Sequence, residues 1–270
     1  MPELPEVETT RRGIEPRLKG KTLEAIEVRD GRLRWPVPAN LDARLAGRKL
    51  LSIKRRGKYL LFDFGGLFLI VHLGMSGSLR FVHRDEPPAA HDHVDWLFCG
   101  GKMLRLRDPR RFGAVLLSED PASHPLLAHL GPEPLTADFD ARHLYAACRG
   151  RKTGIKNLIM DGKVVAGVGN IYACESLFCA GIRPGRTAGR LSRAACAKLA
   201  AAIKSTLQSA IDAGGSSLRD YVAADGELGY FQLHARVYGR AGLPCKVCGT
   251  PIKRLISGLR SAYYCPMCQK

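Results

Sequence analysis

The chain has 270 residues, 46% of them hydrophobic and 25% charged, which is enough apolar material for globular cores and too much for a disordered polymer. No apolar run approaches the roughly 18–20 residues of a membrane span. The acidic, proline-broken start MPELPEVETT also lacks the apolar core of a signal peptide, so neither membrane insertion nor secretion is expected. With 42 Lys+Arg against 25 Asp+Glu, the formal net charge is +17. A protein this basic points to a polyanionic partner, nucleic acid first.

Residues 3–19 place Leu4, Val7, Ile14 and Leu18 at helical spacing with charges between them, which predicts an amphipathic helix. From 22 to 117 the texture changes to short runs rich in β-branched and aromatic residues, broken by Gly, Pro and charged turns. Strands are predicted at 22–29, 50–55, 58–64, 67–73, 78–83, 93–98, 102–108 and 113–117, as in an antiparallel sandwich or barrel. Gly131-Pro132-Glu133-Pro134 reads as a linker. Helices are predicted near 138–149, 155–160, 170–180 and 191–213, and 214–230 reads as a long functional loop.

The last 35 residues, 236–270, hold seven Lys/Arg and no Asp or Glu. They also hold Cys245, Cys248, Cys265 and Cys268, two C-x-x-C pairs separated by sixteen residues. Each pair sets two thiolates on one tight turn, and two such turns supply the tetrahedral set of a structural zinc. The other five cysteines are scattered and suggest no disulfide framework. A fully coordinated Zn²⁺ has no open position, so the metal is expected to hold a basic hairpin rigid and to do no chemistry.

Pro2 follows a methionine whose removal exposes a secondary amine. An α-amino group titrates near pH 8 against about 10.4 for lysine, so far more of it is unprotonated at neutral pH. Such an amine attacks an aldehydic carbon and gives a cationic iminium, an electron sink. Glu3 and Glu6 lie on one face beside it. Read alone, they are either proton carriers for the amine or acids that complement a helix N-terminus.

The stretches MPELPEVETTRRGIEP, HLGMSGSLR, HDHVD, DPRRFG and VAGVGNIYACESLF, with the terminal cysteines, keep a distinctive order along the whole chain. In these the sequence resembles bacterial formamidopyrimidine-DNA glycosylase. The resemblance implies a multidomain α+β fold: an N-terminal helix with an eight-stranded antiparallel β-sandwich over 1–133, a helix–two-turn–helix domain over 134–235, and a zinc-finger hairpin over 236–270. It implies removal of oxidised purines from double-stranded DNA, followed by β- and δ-elimination, in a bacterial, cytoplasmic, nucleoid-associated monomer carrying one zinc.

Carried over by motif, Pro2 is the nucleophile on C1′, Glu3 the acid/base, Glu6 a second carboxylate, and Lys58 the proton donor near the phosphates. Met75, Arg110 and Phe112 match the side chains that fill the gap left by an extruded nucleotide, a step that costs a few kcal/mol. His72 and His91 match residues near the DNA backbone, while Asn170 and Tyr172 sit where a glycine-punctuated turn enters a helix whose free N–H groups suit a phosphate, with Arg151, Lys152 and Lys156 supplying nearby positive charge. Arg219 matches the base-recognition loop, and Arg260 the zinc-finger arginine assigned to phosphate and δ-elimination. Asn170 also reads as an ordinary helix cap. Gly162 and Arg219 depart from many relatives and loosen the expected lesion preference. Two alternatives remain at this stage: an endonuclease VIII-like enzyme for oxidised pyrimidines, whose usual Pro-Glu-Gly-Pro opening differs from Pro2-Glu3-Leu4-Pro5, and a non-enzymatic zinc DNA-binding protein.

Overall fold

The computed structural model describes residues 2–215 and 235–270, so Arg219 and most of the expected 214–230 loop lie outside the described residues. The chain divides into two compact units: residues 1–128 with 213–230, and residues 129–212 with 231–270.

In the first unit, α1 (Leu4–Leu18) precedes eight strands: β1 (Leu23–Val28), β2 (Ser52–Arg56), β3 (Tyr59–Asp63), β4 (Phe68–His72), β5 (Ser78–Val82), β6 (Asp92–Phe98), β7 (Lys102–Arg107) and β8 (Ala114–Ser118). They form two four-stranded antiparallel sheets, ordered β1-β6-β7-β5 and β2-β3-β4-β8. One apolar core drawn from both sheets and α1 joins them, including Val7, Leu18, Phe62, Val71, Trp96 and Leu106. A short helix α2 (Leu41–Leu45) is the element that periodicity misses, since five residues are too few to show a period.

The charges of α1 depart from the amphipathic expectation, because Glu6 and Glu8 are buried. Glu6 closes a reciprocal capping box with Glu3, and Glu8 is wrapped by arginines. A second buried polar group sits in the β1-β6-β7-β5 sheet. There Arg105 grips Asp95 with two hydrogen bonds of 2.8 Å and lies 3.5 Å from Asp92.

The second unit holds α3 (Ala141–Cys148), α4 (Ile155–Ile159), α5 (Asn170–Cys179) and the 20-residue α6 (Arg193–Asp212), then the hairpin β9 (Lys253–Ser257) and β10 (Arg260–Tyr264). The Gly131-Pro132 segment is docked rather than loose. Gly131 N–H donates to Gly162 O at 2.8 Å, and a Cβ on Gly131 would fall 2.5 Å from Lys163 O. No described helix is long and apolar enough to cross a membrane.

Breaking a buried ion pair from one side leaves an uncompensated charge, which typically costs about 3–5 kcal/mol. Arg105→Ala is therefore expected to lower unfolding stability by about 3 kcal/mol or more, read by denaturant titration. A loss below about 1 kcal/mol would place the Arg105–Asp95 pair among ordinary surface bridges.

Candidate functional site

The first part of the site is the start of α1. Pro2 is buried and precedes the N-cap residue Glu3, whose extended backbone (φ −104°, ψ −171°) turns the chain into the helix. Glu3 N–H donates to Glu6 Oε2 at 2.8 Å, and Pro5 lies in the first turn, where its missing N–H costs nothing. Glu6 is 0% exposed, and Gly215, at φ +83°, lies so close that a Cβ there would stand 3.3 Å from Glu6 Oε1. Pro2, Glu3 and Glu6 are thus held as one rigid group.

The second part is the β2–β3 turn and the strand beside it. Lys58 follows Gly57 in that turn, and Tyr59 pairs with His72 across β3 and β4. The Tyr59 and His72 rings lie 4.7 Å apart. Burial, with the positive charges of Lys58 and Arg34, pushes the His72 imidazole down to about 4. Its Nδ1 accepts from Gly74 N–H at 3.0 Å, which leaves the neutral ring a donor at Nε2.

The third part is a pair of loops, 73–77 and 108–113. They meet at Gly74, where a Cβ would lie 2.4 Å from the backbone of Phe112 and Gly113, and within the first loop a Cβ on Gly77 would lie 2.3 Å from Leu73 O. Asp108, fully buried, fastens them. Its Oδ1 accepts from Ser76 Oγ at 2.9 Å, and its Oδ2 accepts from Gly113 N–H at 2.7 Å. Its carbonyl contacts His93 Nε2 at 2.9 Å, and Ser76 Oγ in turn accepts from Arg110 N–H at 3.3 Å. On this base Met75 and Phe112 stand 37% and 42% exposed, and the Arg110 guanidinium lies 5.1 Å from the Phe112 ring centre. His91, on the rim of the same loop, is exposed with φ +73° and accepts at its carbonyl from Asp108 N–H.

The second unit supplies another group. Asn170 opens α5, donates from Nδ2 to Ser261 O at 3.1 Å, and holds its Oδ1 buried with no hydrogen-bond partner among the described residues. Asn157 of α4 accepts from Ser257 Oγ at 3.1 Å, so the hairpin that carries Arg260 is fastened to both helices. Arg151, Lys152 and Arg260 are exposed, whereas Lys156 and Tyr172 lie inside the helical body.

The four cysteine sulfurs lie within 4.8 Å of one another. Two of the separations are 3.9 Å (Cys245–Cys268) and 3.4 Å (Cys248–Cys265), close to the roughly 3.8 Å edge of a tetrahedron with 2.3 Å Zn–S bonds. Val247 N–H and Cys268 N–H each donate to a knuckle sulfur at 3.4 Å, as a thiolate set requires. The residues fit one structural zinc. Glu175 anchors the approach to this module by accepting from the backbone N–H groups of Arg236, Val237 and Tyr238 at 2.8–2.9 Å.

Asp108, Glu175 and Asn157 escaped the sequence reading. A lone acid amid apolar neighbours, as in NIYACESLF, is the legible signal for Glu175, since a buried carboxylate demands donors.

Comparisons with known proteins match three successive segments of the chain. Residues 1–115 match the family model described as the formamidopyrimidine-DNA glycosylase N-terminal domain, and residues 130–222 match its H2TH domain. Residues 242–270 match a zinc finger found in FPG and IleRS. The chain is 64% identical to a formamidopyrimidine-DNA glycosylase of Thiobacillus denitrificans, with 100% of both chains covered. It is 59% identical to one of Bordetella pertussis, again with 100% of each chain covered. Among solved structures, Thermus thermophilus MutM (Fpg) superposes with TM-score 0.89 at 40% identity, covering 99% of this chain and 98% of that one. Lactococcus lactis Fpg in complex with DNA containing an abasic site gives 0.93 at 36% identity, with both chains fully covered.

Two outcomes test the site as built. Asp108→Asn turns one acceptor into a donor, and a buried polar group left unsatisfied costs about 1–3 kcal/mol. The variant is expected to lose that much stability and to lose hydrogen-exchange protection at Gly113 first; unchanged protection there would remove Asp108 from its place as fastener. For His72 the folded pKa lies below the unfolded 6.5, so between about 6.5 and about 4 the unfolded chain binds the extra proton. Stability therefore falls as pH drops through that window, by at most about 1.4 kcal/mol per pH unit. His72→Gln is expected to flatten that part of a pH–stability curve, and an unaltered slope would contradict the neutral assignment.

Proposed function

The chain belongs to the formamidopyrimidine-DNA glycosylase family, and on that premise we propose how its own residues carry out base-excision repair. It is a DNA glycosylase with one structural zinc, and apurinic-site lyase activity is part of the family. Its full-length identity to formamidopyrimidine-DNA glycosylases sets aside both the pyrimidine-directed and the non-enzymatic readings. We take the substrate to be an oxidised purine in double-stranded DNA, met by a monomer at the bacterial nucleoid.

The observation that carries the reading is the capped start of α1: Pro2 and Glu3 are locked beside buried Glu6, within the unit that also exposes Met75, Arg110 and Phe112. With the preceding methionine removed, the Pro2 nitrogen bonds to C1′ while the bond from C1′ to the base breaks and the base leaves with a proton. Glu3 supplies and recovers protons as the sugar ring opens, and the helix N-terminus complements its negative form. The Pro2 iminium then makes the C2′ proton acidic. Its loss expels the 3′ phosphate, with Lys58 at the phosphates, and a second elimination expels the 5′ phosphate with Arg260 holding it.

Extruding the damaged nucleotide leaves a hole that Met75 and Phe112 fill, while Arg110 meets the base left behind. His72, through Nε2–H, and His91 serve the backbone, as do Arg151, Lys152 and Asn170. Lys156 and Tyr172 belong to the same backbone-binding group. Arg219 belongs to the lesion-reading loop. The three assigned regions, 1–133, 134–235 and 236–270, correspond to chemistry, backbone grip and zinc-braced hairpin.

Borohydride reduction on a duplex holding 8-oxoguanine opposite cytosine is expected to leave the protein covalently bound through Pro2. Pro2→Gly keeps an α-amine of another class and should lower nicking by at least about tenfold, given the 10²–10⁴-fold scale of such catalytic contributions. In the same assay Arg110→Ala should flatten the preference for cytosine, since a lost base contact costs about 1–3 kcal/mol. Peptide mapping that finds the cross-link on an internal lysine would defeat the Pro2 assignment.

A further inference from the structure

Arg55 links the helix that carries Pro2 and Glu3 to the turn that carries Lys58. Glu8 lies five residues beyond Glu3 on α1, a rigid rise of about 7.5 Å. Its buried carboxylate is gripped by Arg11 (2.9 Å) and Arg12 (3.0 Å) from its own helix, and by Arg55 of β2, whose Nε lies 3.1 Å from Oε2. The same Arg55 guanidinium donates from Nη1 to Gly57 O at 3.0 Å, one peptide before Lys58. Burial pushes the Glu8 carboxyl up, but the bonds and charge of Arg11, Arg12 and Arg55 outweigh it and hold the group below the usual carboxylate range. Further along, Glu15 Oε1 accepts from Ile53 N–H at 3.2 Å, so α1 and β2 move as one piece.

A guanidinium spans these two acceptors because its donors form a rigid planar fork, whereas an ammonium is a single point. Glu8 and Arg55 thus tie the helix that carries Pro2 to the backbone beside Lys58.

We propose that Arg55, seated on Glu8, is a positioning residue that aims Lys58 at the nucleotide held by Pro2. The proposal deepens the reading given above and rests on Lys58 acting at the phosphates. A misplacement of about 1 Å in such a group can cost on the order of 10²-fold in rate.

The test is a double-mutant cycle on the full-length, zinc-loaded protein, with R55K, K58A and the pair R55K/K58A, and E8Q in parallel. Single-turnover nicking of a duplex with a preformed abasic site is measured at saturating protein, with duplex Kd and thermal midpoint alongside. R55K is expected to slow nicking by about tenfold or more, within the range of such misplacements, while Kd shifts by less than about threefold. In the K58A background R55K should slow nicking by less than about twofold, because residues that act through one another are not additive. Its effect on the thermal midpoint should persist there, which separates positioning from mere folding. E8Q, which keeps shape and loses charge, should move nicking in the same direction.

An R55K effect of equal size with and without Lys58 would overturn the proposal, as would an R55K protein that nicks at full rate beside a crippled K58A. If K58A itself nicks at full rate, the underlying reading of Lys58 fails, and that outcome is visible before Arg55 is considered.

Discussion

The amine role proposed for Pro2 demands a fixed position, and the start of α1 is held in a way that supplies one. An amine on a lysine has four rotatable bonds to order; one on a chain terminus has only the backbone behind it. Here that backbone is pinned by the Glu3–Glu6 capping box and by Pro5 in the first turn. The pin needs Glu6 buried, and a buried carboxylate is tolerable only with donors around it. The helix N-terminus provides them, through its unsatisfied N–H groups and positive dipole end. One arrangement thus caps the helix, orients the amine and keeps a carboxylate beside it.

Charge is distributed to match. The unit that holds α1 and the sandwich has twenty-three Lys/Arg and nineteen Asp/Glu, whereas the unit that holds the helices and the zinc module has nineteen and six. In the first unit many arginines are spent on structure: Arg11, Arg29, Arg55, Arg80 and Arg105 all meet carboxylates. In the second, Arg149, Arg151, Lys152, Arg190, Arg254 and Arg260 make no ion pair among the described residues. Unpaired cations on a surface repel one another and are stabilised by an anion brought to them.

Much of this was legible in the sequence. All eight strands of the sandwich fall within a few residues of where alternation and turn residues put them, because each is bounded by a glycine or a charged turn such as Gly57 or Gly100-Gly101. The zinc ligands were legible because four thiolates at that spacing have few other uses. What stayed hidden depends on contacts far apart along the chain. Glu8 looked like a solvated charge on α1 until Arg55, 47 residues away, was placed beside it. Asp108 sits inside a motif that was noticed for Arg110 and Phe112, but its bonds to Ser76 arise only when two loops meet. Periodicity reports which face a residue lies on, not what waits there.

The exposed loops show why a buried acid and tight glycines belong together. Met75 and Phe112 are apolar and exposed, an arrangement that loses the burial energy a core would give them. Left to themselves, such loops would fold their apolar side chains inward. Two features prevent this. Gly74 and Gly77 let the backbones approach closer than any side chain allows, and Asp108 ties both loops from beneath. Arg111, at φ +55°, takes up a left-handed conformation that few non-glycine residues adopt, and its guanidinium lies 3.3 Å from Asp30. That backbone is held by the Asp108 hydrogen bond to Gly113 and by this ion pair. The loops are consequently held with Met75 and Phe112 outward, as the wedge role proposed for them requires.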